Sequence, residues 1–261
     1  MKHNLKITFI LLGLFILAQL IGLVIVDIYN TQQLPYGIEK PHVENEQTSF
    51  LPMIIFILIA TVLFVLLMRF KANRLWKYWF FFSVVLCLLI AFGSFLNQLM
   101  ALILAIFLGY YKIFKPNIIV HNFSELFIYG GLAAVFVPIF NVFSISVLFV
   151  LIMIYDMIAV WKTKHMVKMA KFQSKLKIFT GLLIPYKKGV AILGGGDIGF
   201  SLLFAGTVLK YHGFLSGTIV VLFAALGLLS LLLLAEKKKF YPAMPFIGIG
   251  CFVGYLVSML V

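Results

Sequence analysis

From Ser144 to Lys162 the chain reads SISVLFVLIMIYDMIAVWK, an apolar run closed by a basic residue and holding one acid, Asp156. About 20 apolar residues are enough to cross a bilayer as a helix. A carboxylate inside such a helix costs at least about 2.5–3.5 kcal/mol on insertion scales. Asp156 therefore needs an explanation that an ordinary surface acid would not.

The pattern repeats along all 261 residues. Hydrophobic residues make up 64% and charged residues 11%, with a mean hydropathy of +1.14. Soluble domains hold about 45–50% apolar and about 25% charged residues, and disorder requires low hydrophobicity. The chain reads as an all-α, polytopic membrane protein. Apolar runs bounded by charges predict nine spans: Ile7–Val26, Phe50–Met68, Tyr78–Leu96, Leu99–Ile113, Ser124–Ile139, Ser144–Trp161, Lys188–Leu209, Phe214–Ala235 and Pro242–Val261. The first run is longer than a signal-peptide core and lacks a clear small-x-small site after it, so it reads as a retained span.

Basic residues set the orientation. With nine spans and a cytoplasmic N-terminus, 19 of the 21 lysines and arginines fall inside, and only Lys40 and Lys210 fall outside. That is the positive-inside bias, and it places the C-terminus outside. The net charge of +13 is thereby a topological signal, and no nucleic-acid partner is expected. Trp76, Trp79 and Trp161 fall at the inner boundary, where indoles favour the headgroup region. Residues 1–165 form a six-helix part, 166–187 a basic cytoplasmic loop, and 188–261 a three-helix part. Met166, Phe172 and Ile178 interleave with that loop's lysines, as in a helix lying on the inner leaflet or a solvated connector. Cys87 and Cys251 read as small buried hydrophobes.

Of the eight acids, Asp27, Glu39, Glu44 and Glu46 are external, and Glu236 ends the eighth span. Asn122-x-x-Glu125 reads as a helix-capping pair at the start of the fifth span. Asp156 and Asp197 remain, both within apolar spans. Asp156 lies six residues before Lys162, and Asp197 nine after Lys188, or about 9 Å and about 13 Å at helical rise. One span runs outward and the other inward, so both carboxyls sit in the cytoplasmic half at similar depth. Two carboxyls in one low-dielectric site cannot both ionise cheaply. A charged and a protonated member together suit peptide hydrolysis. The same pair also suits a proton- or ion-coupled transporter or channel.

Gly194-Gly195-Gly196 precedes Asp197 and would weaken a helix there, letting another chain or water approach. Pro242-Ala243-Met244-Pro245 opens the ninth span near the same depth, where prolines hold a segment extended or weakly helical. No His-Glu-x-x-His occurs and no metal-ligand spacing is apparent. His212 and Ser216 lie four residues apart in what reads as an ordinary outer loop.

Tyr155-Asp156, Gly194-Gly195-Gly196-Asp197 and Pro242-Ala243-Met244 resemble, in order, the YD, GxGD and PAL motifs of presenilins and signal peptide peptidases. Tyr155 to Lys162 looks especially like the microbial presenilin homologues, and an inner N-terminus is the presenilin orientation. Met244 replaces the leucine of PAL, a nearly volume-conserving change. Gly195 occupies a position often filled by larger residues, which implies looser side-chain contact with substrate. The resemblance implies an intramembrane aspartyl protease of the cell membrane. Asp156 and Asp197 would be the catalytic pair, Tyr155 would line the site, and Gly194 and Gly196 would admit the substrate backbone. Pro242, Ala243 and Met244 would position the substrate, a segment of a single-span membrane protein pairing as an added strand near the ninth span. No metal or organic cofactor is implied. Membrane lipids are partners, and accessory subunits are not required.

Overall fold

The structure is a computed structural model that describes residues 5–43, 45–69, 73–162, 179–186, 189–235 and 241–261. The helix expected on the inner leaflet falls mostly at 163–178, outside the described residues, as do Glu44, Glu236 and the Lys237–Lys239 run.

The chain is mostly helical. It runs α1 (Leu5–Thr31), α2 (Phe50–Arg69), α3 (Asn73–Gly93), α4 (Gln98–Phe114), α5 (Ile118–Phe136) and α6 (Val142–Met157). An antiparallel hairpin follows, β1 (Gly181–Tyr186) with β2 (Gly189–Gly194). The next 40 residues, Gly195–Leu234, are apolar throughout but are not one rod. They break at Gly213, whose φ of 85° and ψ of 172° no helix contains. A Cβ there would meet nothing within 4 Å, so the backbone angle, not crowding, requires glycine. The break separates α7 (195–212) from α8 (214–234), and α9 (Met244–Ser258) ends the fold. Six of the described helical stretches are long and apolar enough to cross a membrane, counting Gly195–Leu234 as one. Gln98–Phe114 and Met244–Ser258 are apolar but shorter.

Helix starts follow their side-chain caps. Asn97 accepts from Met100 N at 2.9 Å, and Asn117 from Ile119 N at 2.8 Å. Asn141 and Ser144 form a reciprocal capping box on α6. Two sequence expectations are corrected here. The fifth helix begins at Ile118, not Ser124, so Asn122 and Glu125 lie inside it and cap nothing. The seventh span does not begin at Lys188. Gly189–Gly194 is strand, and the helix starts at Gly195.

The main core joins α1, α5, α6, α7, α8 and α9 around Phe15, Phe140, Phe149 and Phe204. Phe149 stacks on Phe204 at 5.2 Å between ring centroids, and Phe252 meets Phe204 edge-on at 5.2 Å. Lipid is as apolar as leucine, so close packing rather than exclusion from water must hold such helices together. Small residues permit it: a Cβ on Gly250 of α9 would overlap the Phe223 carbonyl of α8. A smaller core, with Val84, Leu88, Ala101 and Ala105, joins α3 to α4. By contrast α2 leaves Ile55, Phe56, Leu58, Ile59 and Val62 exposed, the surface of a helix that faces lipid.

Candidate active site

Asp156 sits one residue before the end of α6, which continues as a π-helical turn, Ile158–Lys162. Such wide turns cluster at functional positions. Its carboxylate is buried at 5% exposure and accepts the Met244 N–H at 3.2 Å. It also accepts from the backbone of Ala243. α9 has no side-chain cap of its own at Ala243. Asp156 thus satisfies orphan donors at the start of a helix that is distant in sequence, with its carboxyl at the positive end of that helix. Pro242 and Met244 are buried, and Pro245 in the first turn of α9 needs no N–H partner. Ala243 is already helical at φ −86° and ψ −32°, so the motif is a helix start rather than an extended segment.

Asp197 is held differently. Gly194 ends β2 and caps α7, which makes Asp197 the third helical residue. Its carboxylate accepts the Gly194 N–H, as the acid of a capping box does. The glycines therefore start a helix rather than interrupt one. Asp156 is close enough to act electrostatically on Asp197. The fold brings the two acids together, each at the N-terminus of a helix. Tyr155 is half-buried, and its hydroxyl reaches the Thr61 side chain of α2.

The three glycines have different surroundings. Gly196 is exposed and open, with nothing nearer to a Cβ than Phe200 at 3.9 Å. A Cβ on Gly195 would sit 2.7 Å from the Tyr129 hydroxyl and 3.2 Å from Thr180. The missing side chain of Gly195 therefore makes room for the Tyr129 hydroxyl and Thr180.

The hairpin edges also differ. Gly195 N donates to Thr180 O at 3.1 Å, and the register continues through Leu182↔Leu193 and Ile184↔Ala191. Alternation in an antiparallel ladder then turns the backbone groups of Gly181 and Leu183 outward on β1, and those of Val190 and Ile192 outward on β2. On β1 all four are taken by side chains of α5. Asn122 donates to Leu183 O at 2.7 Å and accepts Leu183 N at 3.0 Å. Glu125 accepts Gly181 N at 3.0 Å, and His121 Nε2 meets Gly181 O at 2.8 Å. No described residue bonds to the outward groups of Val190 and Ile192, whose side chains are 49% and 52% exposed.

Sequence reasoning missed His121 and Gln19, and it read Asn122 and Glu125 as a cap rather than as partners of β1. Gln19 is fully buried on α1 and donates to Ile198 O at 2.9 Å and Ser201 Oγ at 2.7 Å, tying down the first turns of α7. A glutamine in the middle of the first apolar run was the available signal. His212 and Ser216 form no site: Ser216 Oγ, in the first turn of α8, donates to the His212 carbonyl across the break at Gly213. Among the described residues, no group of three or more His, Cys, Asp and Glu could hold a metal ion.

Residues 12–199 match the family described as signal-peptide peptidase, presenilin aspartyl protease. A search of curated proteins finds no match. Two crystal structures of a presenilin family intramembrane aspartate protease share the fold. One is in space group C222, with 18% identity, a TM-score of 0.70 and coverage of 97% of this chain and 98% of that one. The other is in space group P2, with 19% identity, a TM-score of 0.71 and 96% coverage of each. The chain belongs to the signal-peptide peptidase, presenilin aspartyl protease family, a family of integral membrane proteins. It is an intramembrane aspartyl protease, and this replaces the transporter reading.

Proposed function

We propose that Asp156 and Asp197 are the catalytic pair and that they hydrolyse peptide bonds within membrane-spanning segments. The carrying observation is that two carboxyls from different apolar helices converge, each at the N-terminus of a helix. The ionised member takes a proton from water, whose oxygen attacks the scissile carbonyl carbon. The protonated member donates to the carbonyl oxygen. The tetrahedral intermediate then collapses: the C–N bond breaks, the leaving nitrogen takes up the proton the base had accepted, and one hydroxyl returns its proton to the other carboxylate as the C=O re-forms. The pair titrates as a unit, so the first base is not assigned to either residue.

Substrates are unwound segments of single-span membrane proteins. The open backbone edge at Val190 and Ile192 supports binding by strand addition, and β2 leads directly into the Gly194–Asp197 turn. Gly194 and the open Gly196 admit the substrate backbone, Tyr155 lines the site, and Pro242, Ala243 and Met244 position the scissile region. The helix order and lysine distribution support nine spans in the cell membrane, with the N-terminus cytoplasmic and the C-terminus outside. The enzyme works among lipids without accessory subunits or cofactor.

The test is cleavage of a single-span reporter by the purified chain. Wild type yields products, whereas Asp156→Asn and Asp197→Asn do not. Cleavage near the wild-type rate after either change removes that residue from the mechanism.

A further inference from the structure

The proposed mechanism leaves one expensive feature unused. Lys112 on α4 and Glu125 on α5 form an ion pair at 2.5 Å, with both side chains 1% exposed. A buried pair is weak evidence for stability, because well-packed apolar residues often do as well. Its geometry points to another role. Lys112 also donates to His121 Nδ1 at 3.0 Å, which leaves Nε2 to donate to Gly181 O. Tyr129 donates to Glu125 Oε2, and that same oxygen accepts Gly181 N. Both carboxylate oxygens are therefore committed, one to a cation and one to the start of β1.

The next links lead to the catalytic helix. Thr180, beside Gly181, accepts the N–H of Gly195, the first residue of α7. The Tyr129 hydroxyl abuts Gly195, and its ring lies 3.6 Å from where a Cβ on Gly199 would sit. Asp197 lies between those two glycines.

We infer that Glu125, held by Lys112 and Tyr129, is a positioning residue for Asp197: it fixes the first residues of β1 and, through Thr180, the first turn of α7. The inference rests on the reading of Asp197 as catalytic. The role requires an acceptor at position 125 rather than a charge. An ion pair kept only for packing would require neither.

The experiment compares two charge-free double variants of the full chain, K112M/E125Q and K112M/E125L. Both remove the buried ions. Only the glutamine carbonyl can still accept from Gly181 N. K112M/E125L is expected to melt below K112M/E125Q, since Gly181 N and the Tyr129 hydroxyl lose their acceptor, and to lose roughly 10- to 100-fold in kcat with little change in KM, the scale of a misplaced catalytic group. K112M/E125Q is expected to recover most of that loss. Amide exchange over residues 179–195 should be faster in the leucine variant only. Wild-type turnover and wild-type exchange in K112M/E125L would overturn the inference. If that variant does not fold, His121→Leu removes the donor to Gly181 O, together with one acceptor of Lys112, and leaves Glu125 in place. It should raise exchange over the same residues and lower kcat, and wild-type values would again overturn the inference. Exchange is independent of catalysis. Cleavage near the wild-type rate after Asp197→Asn would strike the catalytic reading, and the exchange comparison would still decide whether Glu125 anchors the hairpin.

Discussion

The two aspartates reach similar surroundings by opposite routes. Asp197 is held by the backbone N–H of Gly194, three residues earlier in its own helix start. Asp156 is held by Met244 N, 88 residues away in sequence. One carboxyl is placed by local geometry, so it is positioned wherever α7 begins. The other is placed only when α6 and α9 are packed together. Damage to the helix bundle should therefore fall on Asp156 first, and damage to the hairpin on Asp197.

The largest effect should ignore that difference. Asn at either position removes a proton-transfer group, which costs about 10²–10⁴-fold in kcat. The double variant should lose little more than either single one, since groups that act as a unit are not additive. The same pairing predicts a rate that falls on both the acid and the alkaline side of its optimum, because one carboxyl must be charged and the other protonated. A profile with one limb would break the symmetry.

Gly227→Val should separate the two routes. Its new side chain would collide with the Phe246 carbonyl and Ile247 Cα and push the start of α9 away from α8. We expect a loss of roughly 10- to 100-fold in kcat, with exchange over residues 179–195 unchanged. Faster exchange there would mean that the routes are coupled.

Next come the neighbouring glycines. Gly195→Ala meets the Tyr129 hydroxyl and Thr180, whereas Gly196→Ala meets open space. The first should lower both the melting temperature and turnover, and the second should leave the melting temperature near wild type. The smallest effect is expected from Met244→Leu. It keeps the backbone N–H that Asp156 accepts and should cost under about 1.5 kcal/mol by thermal unfolding.

Much of this was legible because a bilayer penalises every polar atom. Asp156 and Asp197 stood out as acids in apolar runs, and Pro242 marked the opening of the ninth span, whereas the glycines read as loosening a helix that they in fact begin. The hairpin was hidden by the same uniformity. GLLIPY and GVAILG read equally well as short strands or as pieces of a buried helix, and periodicity alone does not separate the two. Only Lys187-Lys188-Gly189 hinted at a turn. Glu125 was misread because Asn122 three residues earlier imitates a capping pair. Lys112 was misread because a lysine near a predicted span end looks like an inner-surface cation. Opposite charges at 112 and 125, in consecutive short spans, were the overlooked clue.

That pair also bears on how the protein enters its membrane. Only Lys115–Asn117 separates α4 from α5. A charged residue facing hydrocarbon costs up to about 2.5–3.5 kcal/mol at the centre of an inserting helix and less toward its end; Glu125 lies near the middle of α5, and Lys112 in the last turn of α4. Inserted one after the other, α4 would meet the lipid with its ammonium unmatched. Inserted together as a helical hairpin, the two neutralise each other before either faces hydrocarbon. Biogenesis of this enzyme should therefore treat α4 and α5 as one unit, and a nascent chain truncated after Phe114 should integrate α4 less efficiently than one extended past Phe136.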